Sequence, residues 1–103
     1  MSNSLTLLVQ IQAKADQADT VKAALLNLLE PTRAEAGCVS YELYFDDKDA
    51  TKFIFVETWQ TRAHWEAHNT IDHLQPFFKL AETAVENVIV TDMTKAAHSS
   101  FAS

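Results

Sequence analysis

The stretch KFIFVETW, residues 52–59, decides the fold, because it is typical of a β-strand with two apolar faces. One face would carry Phe53, Phe55 and Trp59, and the other would carry Ile54 and Val56. If helices cover only one side of the sheet, the second apolar face needs another partner. We therefore expect a second copy of the sheet to cover it, in a homodimer.

A second β-rich run, CVSYELYF at residues 38–45, comes before this strand. The two runs are joined by the short polar loop DDKDA, residues 46–50. A short acidic loop between two such runs predicts a β-hairpin.

The chain before the hairpin predicts one strand and one helix. LTLLVQIQA, residues 5–13, alternates apolar and polar side chains with the period of a strand. Asp16 is then a candidate helix N-cap, and apolar residues follow at helical spacing. Pro31 predicts a break or kink at Glu30, and the only glycine, Gly37, is expected to close the helical region.

The chain after the hairpin predicts two helices and a last strand. Thr61 is a candidate N-cap for the helix TRAHWEAH. A second helix should begin between Ile71 and Pro76, because proline is tolerated only in a first helical turn. VENVIVTDM, residues 85–93, is the last predicted strand.

The predicted order of elements is βαββαβ. With right-handed crossovers this order gives an α+β, ferredoxin-like fold, a four-stranded antiparallel sheet with helices on one face. We expect a single domain over residues 1–93, followed by a C-terminal tail of small residues, 94–103.

Charge and cysteine content exclude several kinds of partner. The formal net charge is −6 without a basic cluster, so nucleic acid and an anionic membrane surface are not expected partners. Cys38 is the only cysteine, so no intramolecular disulfide can form. The N-terminal run lacks a basic region and is interrupted by glutamines, so a cytoplasmic location is expected.

Two segments carry a resemblance to a known family. EPTRAEAGCVSYELY and ETWQTRAHWEAHNTIDH resemble the antibiotic biosynthesis monooxygenase (ABM) domain, whose family includes small quinol monooxygenases. The resemblance implies a dimeric α/β barrel with a pocket between helices and sheet in each subunit. It also implies a small aromatic substrate and O2, with no cofactor.

The resemblance places His68 and His73 on recurring positions of the family. A cofactor-free oxygenase must first remove a proton from its substrate, and an imidazole has a suitable pKa for that base. Trp59 or the second histidine is a candidate donor to the developing oxygen anion. The predicted catalytic residues are therefore His68, His73 and Trp59.

The predicted substrate-binding residues are Phe53, Phe55, Glu57, Phe77 and Tyr44. The aromatic rings would form an apolar chamber that keeps water from reactive intermediates. Glu57 shares a strand face with Phe55, and its preferred interpretation is an ion pair with Arg33 or Arg62. The sequence leaves open which face of the second strand lines the pocket.

A metal site is the competing interpretation of the histidines. His64 and His68 are four residues apart on one helical face, a spacing that can bind zinc. A third ligand is not evident in the sequence, so no metal is predicted and His64 is interpreted as a helix surface residue.

Two other activities share the fold and stay open at this point. One is an isomerase that moves a proton on a small carbonyl compound, and the other is a ligand-binding dimer without catalysis. Haem cleavage is disfavoured, because haem-degrading relatives carry an Asn on the first strand and this strand has none.

Overall fold

The computed structural model describes residues 4–96, which contain one four-stranded antiparallel sheet with the strand order β2-β3-β1-β4. The strands are β1 Leu5–Ala13, β2 Cys38–Phe45, β3 Lys52–Trp59 and β4 Val85–Met93. β3 and β1 lie at the centre of the sheet, so the stretch that predicts the fold is a central strand.

Four helices and two short 3-10 turns connect the strands. The helices are α1 Ala18–Leu26, α2 Leu29–Arg33, α3 Arg62–Asn69 and α4 Gln75–Ala84. The turns are Ala15–Gln17 and Asp72–Leu74. The predicted βαββαβ order and ferredoxin-like fold are confirmed, with each predicted helical region divided into two segments.

The core lies between the helices and one face of the sheet. Phe53 and Phe55 from β3 pack with Leu25 of α1 and Phe77 of α4. All four odd-numbered residues of β3 from Phe53 to Trp59 are buried, as strand alternation predicts. At about 25 cal/mol per Å² of apolar area, this face contributes the main stabilisation of a domain of this size.

The other face of the sheet carries apolar side chains at its centre, and none of the helices in residues 4–96 covers it. Ile54 and Val56 of β3 are half-buried there, whereas Tyr44 and Ile89 are 55% and 49% exposed. The sequence prediction that β3 has two apolar faces is therefore confirmed. The homodimer inferred from it stays a prediction.

Two local predictions about the first helical region differ from the structure. Asp16 does not cap α1, because the chain enters that helix through the 3-10 turn and the N-cap position is Gln17. Pro31 lies in the first turn of α2, where the backbone N–H groups have no partner within the helix and a proline is therefore tolerated. The break in the helical region comes earlier, after Leu26. The predicted N-cap Thr61 is confirmed, since its side chain accepts the His64 backbone N–H.

Gly37 makes the turn between α2 and β2 possible. Its φ is 82°, in the left-handed region that favours glycine, and its carbonyl accepts a hydrogen bond of 2.8 Å from the Gln60 N–H. The His64 side chain lies so close that a Cβ on Gly37 would be 2.2 Å from its Cγ. The turn therefore brings α3 against the start of β2, and only glycine fits there.

Over residues 4–96, none of the helices is long and apolar enough to cross a membrane. The C-terminal tail was predicted to begin at residue 94; Thr94, Lys95 and Ala96 carry no helix or strand, and residues 97–103 lie outside the described residues.

Candidate active site

A cavity of about 170 Å³ lies between the sheet and helices α1, α3 and α4. Its walls are mostly aliphatic and aromatic, and its titratable side chains are Tyr41, Glu57 and His68. Apolar clefts and cavities with a few convergent polar groups are the usual form of small-molecule sites. A wider depression of about 280 Å³ near Gln10 and Lys52 contains no histidine.

His68 reaches this cavity from α3 and is only 3% exposed. Its Nδ1–H donates to Glu35 Oε2 over 2.7 Å, and its ring lies 4.8 Å from that of Trp59 and 5.7 Å from that of Tyr41. Because the carboxylate fixes the proton on Nδ1, the nitrogen on the opposite edge of the ring, Nε2, is the basic one. Burial lowers the pKa of His68, and Glu35 opposes this effect.

The carboxylate of Glu35 joins two histidines. Its Oε2 lies 2.7 Å from His68 Nδ1 and 2.9 Å from His73 Nε2, and His73 Nε2 is also 3.2 Å from the hydroxyl of Thr32. Glu35 comes from the turn after α2, and His73 comes from the 3-10 turn before α4. The two histidines therefore meet through a carboxylate rather than directly.

These same residues are the ones that could hold a metal. The ligand atoms of Glu35, His68 and His73 lie within 4.8 Å of one another, and two histidines with a carboxylate suit zinc or iron. The third possible ligand, which was not evident in the sequence, is thus Glu35. The second histidine of the group is His73 instead of His64. His64 instead pairs its Nδ1 with the Thr61 hydroxyl, 2.8 Å away. The hydrogen bonds of Glu35 to the two histidines are sufficient to explain the short distances between the three side chains.

Glu57 is a buried carboxyl at the cavity wall, 4% exposed. Trp59 Nε1–H donates to its Oε1 over 2.9 Å. Its Oε2 has no hydrogen-bond partner in the part of the chain that the structure describes, and no buried polar atom there is left unpaired, so Oε2 must reach open space. Burial raises the pKa of Glu57 from 4.5 to about 7, Trp59 opposes the shift, and the charge of Glu35 adds to it.

The predicted ion pair of Glu57 is wrong. Arg33 pairs with Glu42 at 2.8 Å, and Arg62 pairs with Asp92 at 2.6 Å. Both arginines are exposed and pair with carboxylates at the surface. The buried carboxyl of Glu57 instead accepts a hydrogen bond from the Trp59 indole.

We expect the Glu57→Gln variant to remove a pH-dependent loss of stability. Because folding raises this pKa, the folded protein keeps a proton that the unfolded chain releases above about 4.5. The free energy of unfolding should therefore fall as pH rises from 4.5 to 7, by roughly 3 kcal/mol at 1.36 kcal/mol per pKa unit. Urea unfolding of both proteins at several pH values measures the difference. A difference that is constant with pH would contradict the raised pKa.

The structure brings four of the predicted site residues together at the cavity: Phe55, Glu57, His68 and Phe77. Two others lie behind its wall. Trp59 packs on His68 and its only N–H is bound to Glu57, so the indole is not free to stabilise a substrate oxygen. His73 does not line the cavity and is connected to it through Glu35 and then His68.

Two predicted site residues lie elsewhere. Tyr44 is on the outer face of the sheet, because the register that pairs Tyr41 with Glu57 turns Tyr41 inward and Tyr44 outward. Phe53 is in the core one row further along β3, beside the ring of Phe45 at 6.0 Å, and does not line the cavity.

Two residues of this site were missed by the sequence prediction. Glu35 lies within the family-like segment EPTRAEAG, and that position was the only available signal. The sequence does not decide whether Tyr41 faces the pocket; the structure buries it next to His68 and stacks it on Phe55 at 4.6 Å. Burial raises the pKa of Tyr41 well above its ordinary value, so its hydroxyl stays protonated.

Comparison with other proteins identifies the relatives of this chain. A family model described as antibiotic biosynthesis monooxygenase matches residues 4–80. The uncharacterized protein sll1783 of Synechocystis is 33% identical over 67 residues, which cover 65% of this chain and 46% of that protein. The chain thus spans about half the length of this relative. The protein named "Putative monooxygenase Rv0793", from Mycobacterium tuberculosis, is 27% identical over 73 residues, 71% of each chain.

Solved structures are also similar. The crystal structure of PA3566 from Pseudomonas aeruginosa matches with a TM-score of 0.89 and 34% identity, over 94% of this chain and 98% of that one. A likeness of this extent covers nearly the whole fold.

Proposed function

The chain belongs to the antibiotic biosynthesis monooxygenase family, and from that premise we propose that it oxygenates a quinol with O2 and no cofactor. One observation carries the proposal: a buried imidazole, backed by a carboxylate, faces an apolar cavity of the size of one aromatic ring. The catalytic base is His68, and Glu35 is the residue that orients it.

The first step is removal of a phenolic proton. His68 Nε2 takes the proton of a substrate hydroxyl, and Glu35 stabilises the imidazolium that forms. The lowered pKa supports this role, because it keeps His68 neutral and ready to accept a proton near neutral pH. The apolar wall keeps water from the electron-rich anion that results.

The anion then supplies every electron that O2 needs. One electron passes to O2, and the resulting superoxide and ring radical combine into a carbon–oxygen bond. Protonation gives a hydroperoxide on a ring carbon. The hydrogen on that carbon and the terminal hydroxyl of the peroxide then leave together as water, and the carbon becomes a carbonyl. One oxygen atom ends in the substrate and the other in water, so no further reductant is required.

Glu57 is the acid that protonates the peroxide. Its pKa of about 7 keeps a large fraction of the carboxyl protonated near neutral pH, whereas His68 is unprotonated there. Two titratable groups whose pKa values are shifted in opposite directions are typical of an acid and base pair. Activity is accordingly expected to fall as pH rises past about 7.

The size of the cavity supports a substrate with one ring inside it. A cavity of about 150 Å³ holds benzene in another protein, and this one measures about 170 Å³. Phe78, Val88 and Val90 line the cavity and are 41–46% exposed, so they form an apolar mouth between α4 and β4. A substituent on the ring would leave the cavity through this mouth.

The active unit is a homodimer in this proposal. The apolar side chains on the outer face of the sheet, Ile54, Val56 and Ile89, support a second copy as the partner. Light scattering should give twice the 11.5 kDa of one chain, and a mass of one chain at micromolar concentration would contradict the dimer.

Proton transfer without oxygen is the second candidate, because an acid and a base also suit an isomerase. A phosphorylated substrate is disfavoured, since the cavity wall includes neither Lys nor Arg among residues 4–96. A small neutral carbonyl compound remains as the substrate of this alternative.

Oxygen consumption tests the proposal. Purified protein treated with chelator should consume O2 with single-ring hydroquinols, at rates at least a hundredfold above buffer, and produce one hydroxylated quinone per O2. Three-ring phenols such as anthrones should react more slowly, because they exceed the cavity. Turnover of a carbonyl compound under anaerobic conditions, without oxygen uptake on any quinol, would favour the isomerase.

A further inference from the structure

We propose that Glu35, His68 and His73 bind one zinc ion behind the substrate cavity, and that the bound ion switches off the catalytic base. The binding site is independent of the proposed function, whereas the effect on turnover rests on it. The ion is an inhibitor and not a cofactor, because Glu35 and His73 do not line the cavity. An ion held between them would meet the substrate only through the ring of His68.

The three side chains direct their ligand atoms to one point. These atoms lie within 4.8 Å of one another. Glu35 Oε2 is 2.7 Å from His68 Nδ1 and 2.9 Å from His73 Nε2. With zinc bonds of about 2.0–2.2 Å, the ligand atoms of a tetrahedral site are about 3.3 Å apart. Shifts of less than about 1 Å in each side chain would therefore admit the ion.

The chemistry of the donor atoms selects the metal. Two imidazole nitrogens and a carboxylate oxygen are a set that zinc binds in proteins, whereas Mg²⁺ and Ca²⁺ prefer oxygen ligands alone. With three ligands from the protein, the fourth tetrahedral position is left for water. The expected ligand is thus a zinc-like divalent ion.

The charge of the site favours a cation. The Glu35 side chain is only 6% exposed, and its ion-pair partners within residues 4–96 are the two histidines, with neither Lys nor Arg among them. A buried carboxylate is costly unless an opposite charge compensates it. A divalent ion supplies that charge at the oxygen that already faces both rings.

The site is assembled in advance and can be reached from solvent. Its ligands come from the turn after α2, from α3 and from the 3-10 turn before α4, and the hydrogen bonds of Glu35 hold them together. The His73 side chain is 25% exposed and lines a surface depression of about 330 Å³ on the outside of α1 and α4. An ion can therefore enter behind His68 while the substrate cavity is occupied.

Binding of the ion changes which nitrogen of His68 carries the proton. In the metal-free protein Nδ1–H donates to Glu35, and Nε2 is the free base at the cavity. A zinc ion needs the lone pair of Nδ1, so the one proton of the neutral ring must lie on Nε2. That nitrogen then has no lone pair with which to take a proton from a substrate.

Zinc titration of the metal-stripped, full-length protein by calorimetry tests the site. The wild-type chain should bind one zinc ion at this site. His73→Gln, which can still donate to Glu35, should weaken this binding by about a hundredfold or more, since loss of an outer-shell partner alone costs about 10–100-fold. Equal affinity in His73→Gln, or no binding by the wild type, would overturn the site.

Two controls accompany the titration. His64→Gln is the same substitution at a histidine that contacts Thr61 and not Glu35, and it should bind zinc as the wild type does. Mg²⁺ and Ca²⁺ should not bind at this site. Weaker zinc binding in His64→Gln, or competition by Mg²⁺, would argue against the three proposed ligands. Circular dichroism confirms that both variants are folded.

Nitrogen-resolved NMR of histidine-labelled protein identifies the ligand atom without any substrate. One equivalent of zinc should move the ring proton of His68 from Nδ1 to Nε2. Zinc binding that leaves Nδ1 protonated would place the ion elsewhere and refute the proposal.

Turnover measures the consequence for catalysis. With a hydroquinol and O2, one equivalent of zinc should lower the steady-state rate at least about tenfold, since a general base contributes at least that much, and a chelator should restore it. Zinc binding at full turnover would overturn the switch. Absence of oxygen uptake in zinc-free protein would instead reject the oxygenase, and the calorimetry and NMR would still decide the site.

Discussion

Turnover is expected to fall by about a hundredfold to ten-thousandfold when His68 is replaced by alanine, the usual contribution of a general base. The substrate would then have to lose its proton to water in an apolar cavity, where the anion is poorly solvated. KM should change little, because the ring is held mainly by the aliphatic and aromatic wall. Oxygen uptake at saturating hydroquinol is the measurement.

Folding of the His68 variant has to be checked, because alanine removes one of the two histidine partners of the Glu35 carboxylate. Circular dichroism and an unfolding curve answer this, and His68→Gln is a second variant that can still donate to the carboxylate. His64→Ala is the matched control on the same helix and should retain full turnover. A folded variant with wild-type turnover would remove His68 from the mechanism.

The second large effect concerns stability rather than chemistry. Gly37→Ala should destabilise the protein by about 2–4 kcal/mol, the sum of left-handed backbone strain and overpacking. The added methyl would lie 2.2 Å from His64 Cγ and 2.6 Å from its Cβ, so the start of α3 must shift. Many domains have only 5–15 kcal/mol of stability, and such a loss is a large part of it. Denaturant unfolding measures it.

A double-mutant cycle separates the two causes. His64→Ala removes most of the atoms that the new methyl would meet, so Gly37→Ala introduced into the His64→Ala variant should cost only the backbone term, about 1–2 kcal/mol. The coupling energy is then expected to be about 1–3 kcal/mol in the favourable direction. Additive losses would show that the contact with His64 does not limit this turn.

The sequence predicted the fold well because its signals are local. Alternation in residues 52–59 correctly identified the buried face of β3, and the helix-to-strand order required only the periodicity of each segment. Cys38–Phe45 and Val85–Met93 were predicted with the bounds that the structure has. Helix starts were less certain, since the chain enters α1 through a 3-10 turn that competes with the Asp16 cap.

The site was predicted only in part because it depends on contacts between distant segments. Glu35 and His68 are 33 residues apart, and their contact follows from the turn at Gly37. The inward face of β2 follows from its register against β3, which shifts between Cys38 and Ser40. That shift decides that Tyr41 lines the cavity and Tyr44 does not, and periodicity within one strand cannot reveal it.

The position of the two tryptophans gives the protein an optical reporter of its own chemistry. Trp59 donates its hydrogen bond to Glu57 and packs against His68 with the two rings tilted, whereas Trp65 lines the cavity wall. Indole emission responds to nearby charge and to contact with another aromatic ring. Changes of charge on Glu57 and His68 should therefore alter the emission of Trp59, and a bound substrate should alter that of Trp65. The chain contains only these two tryptophans. Its intrinsic fluorescence therefore comes almost entirely from the site, and ligand binding and proton transfer become visible without any label.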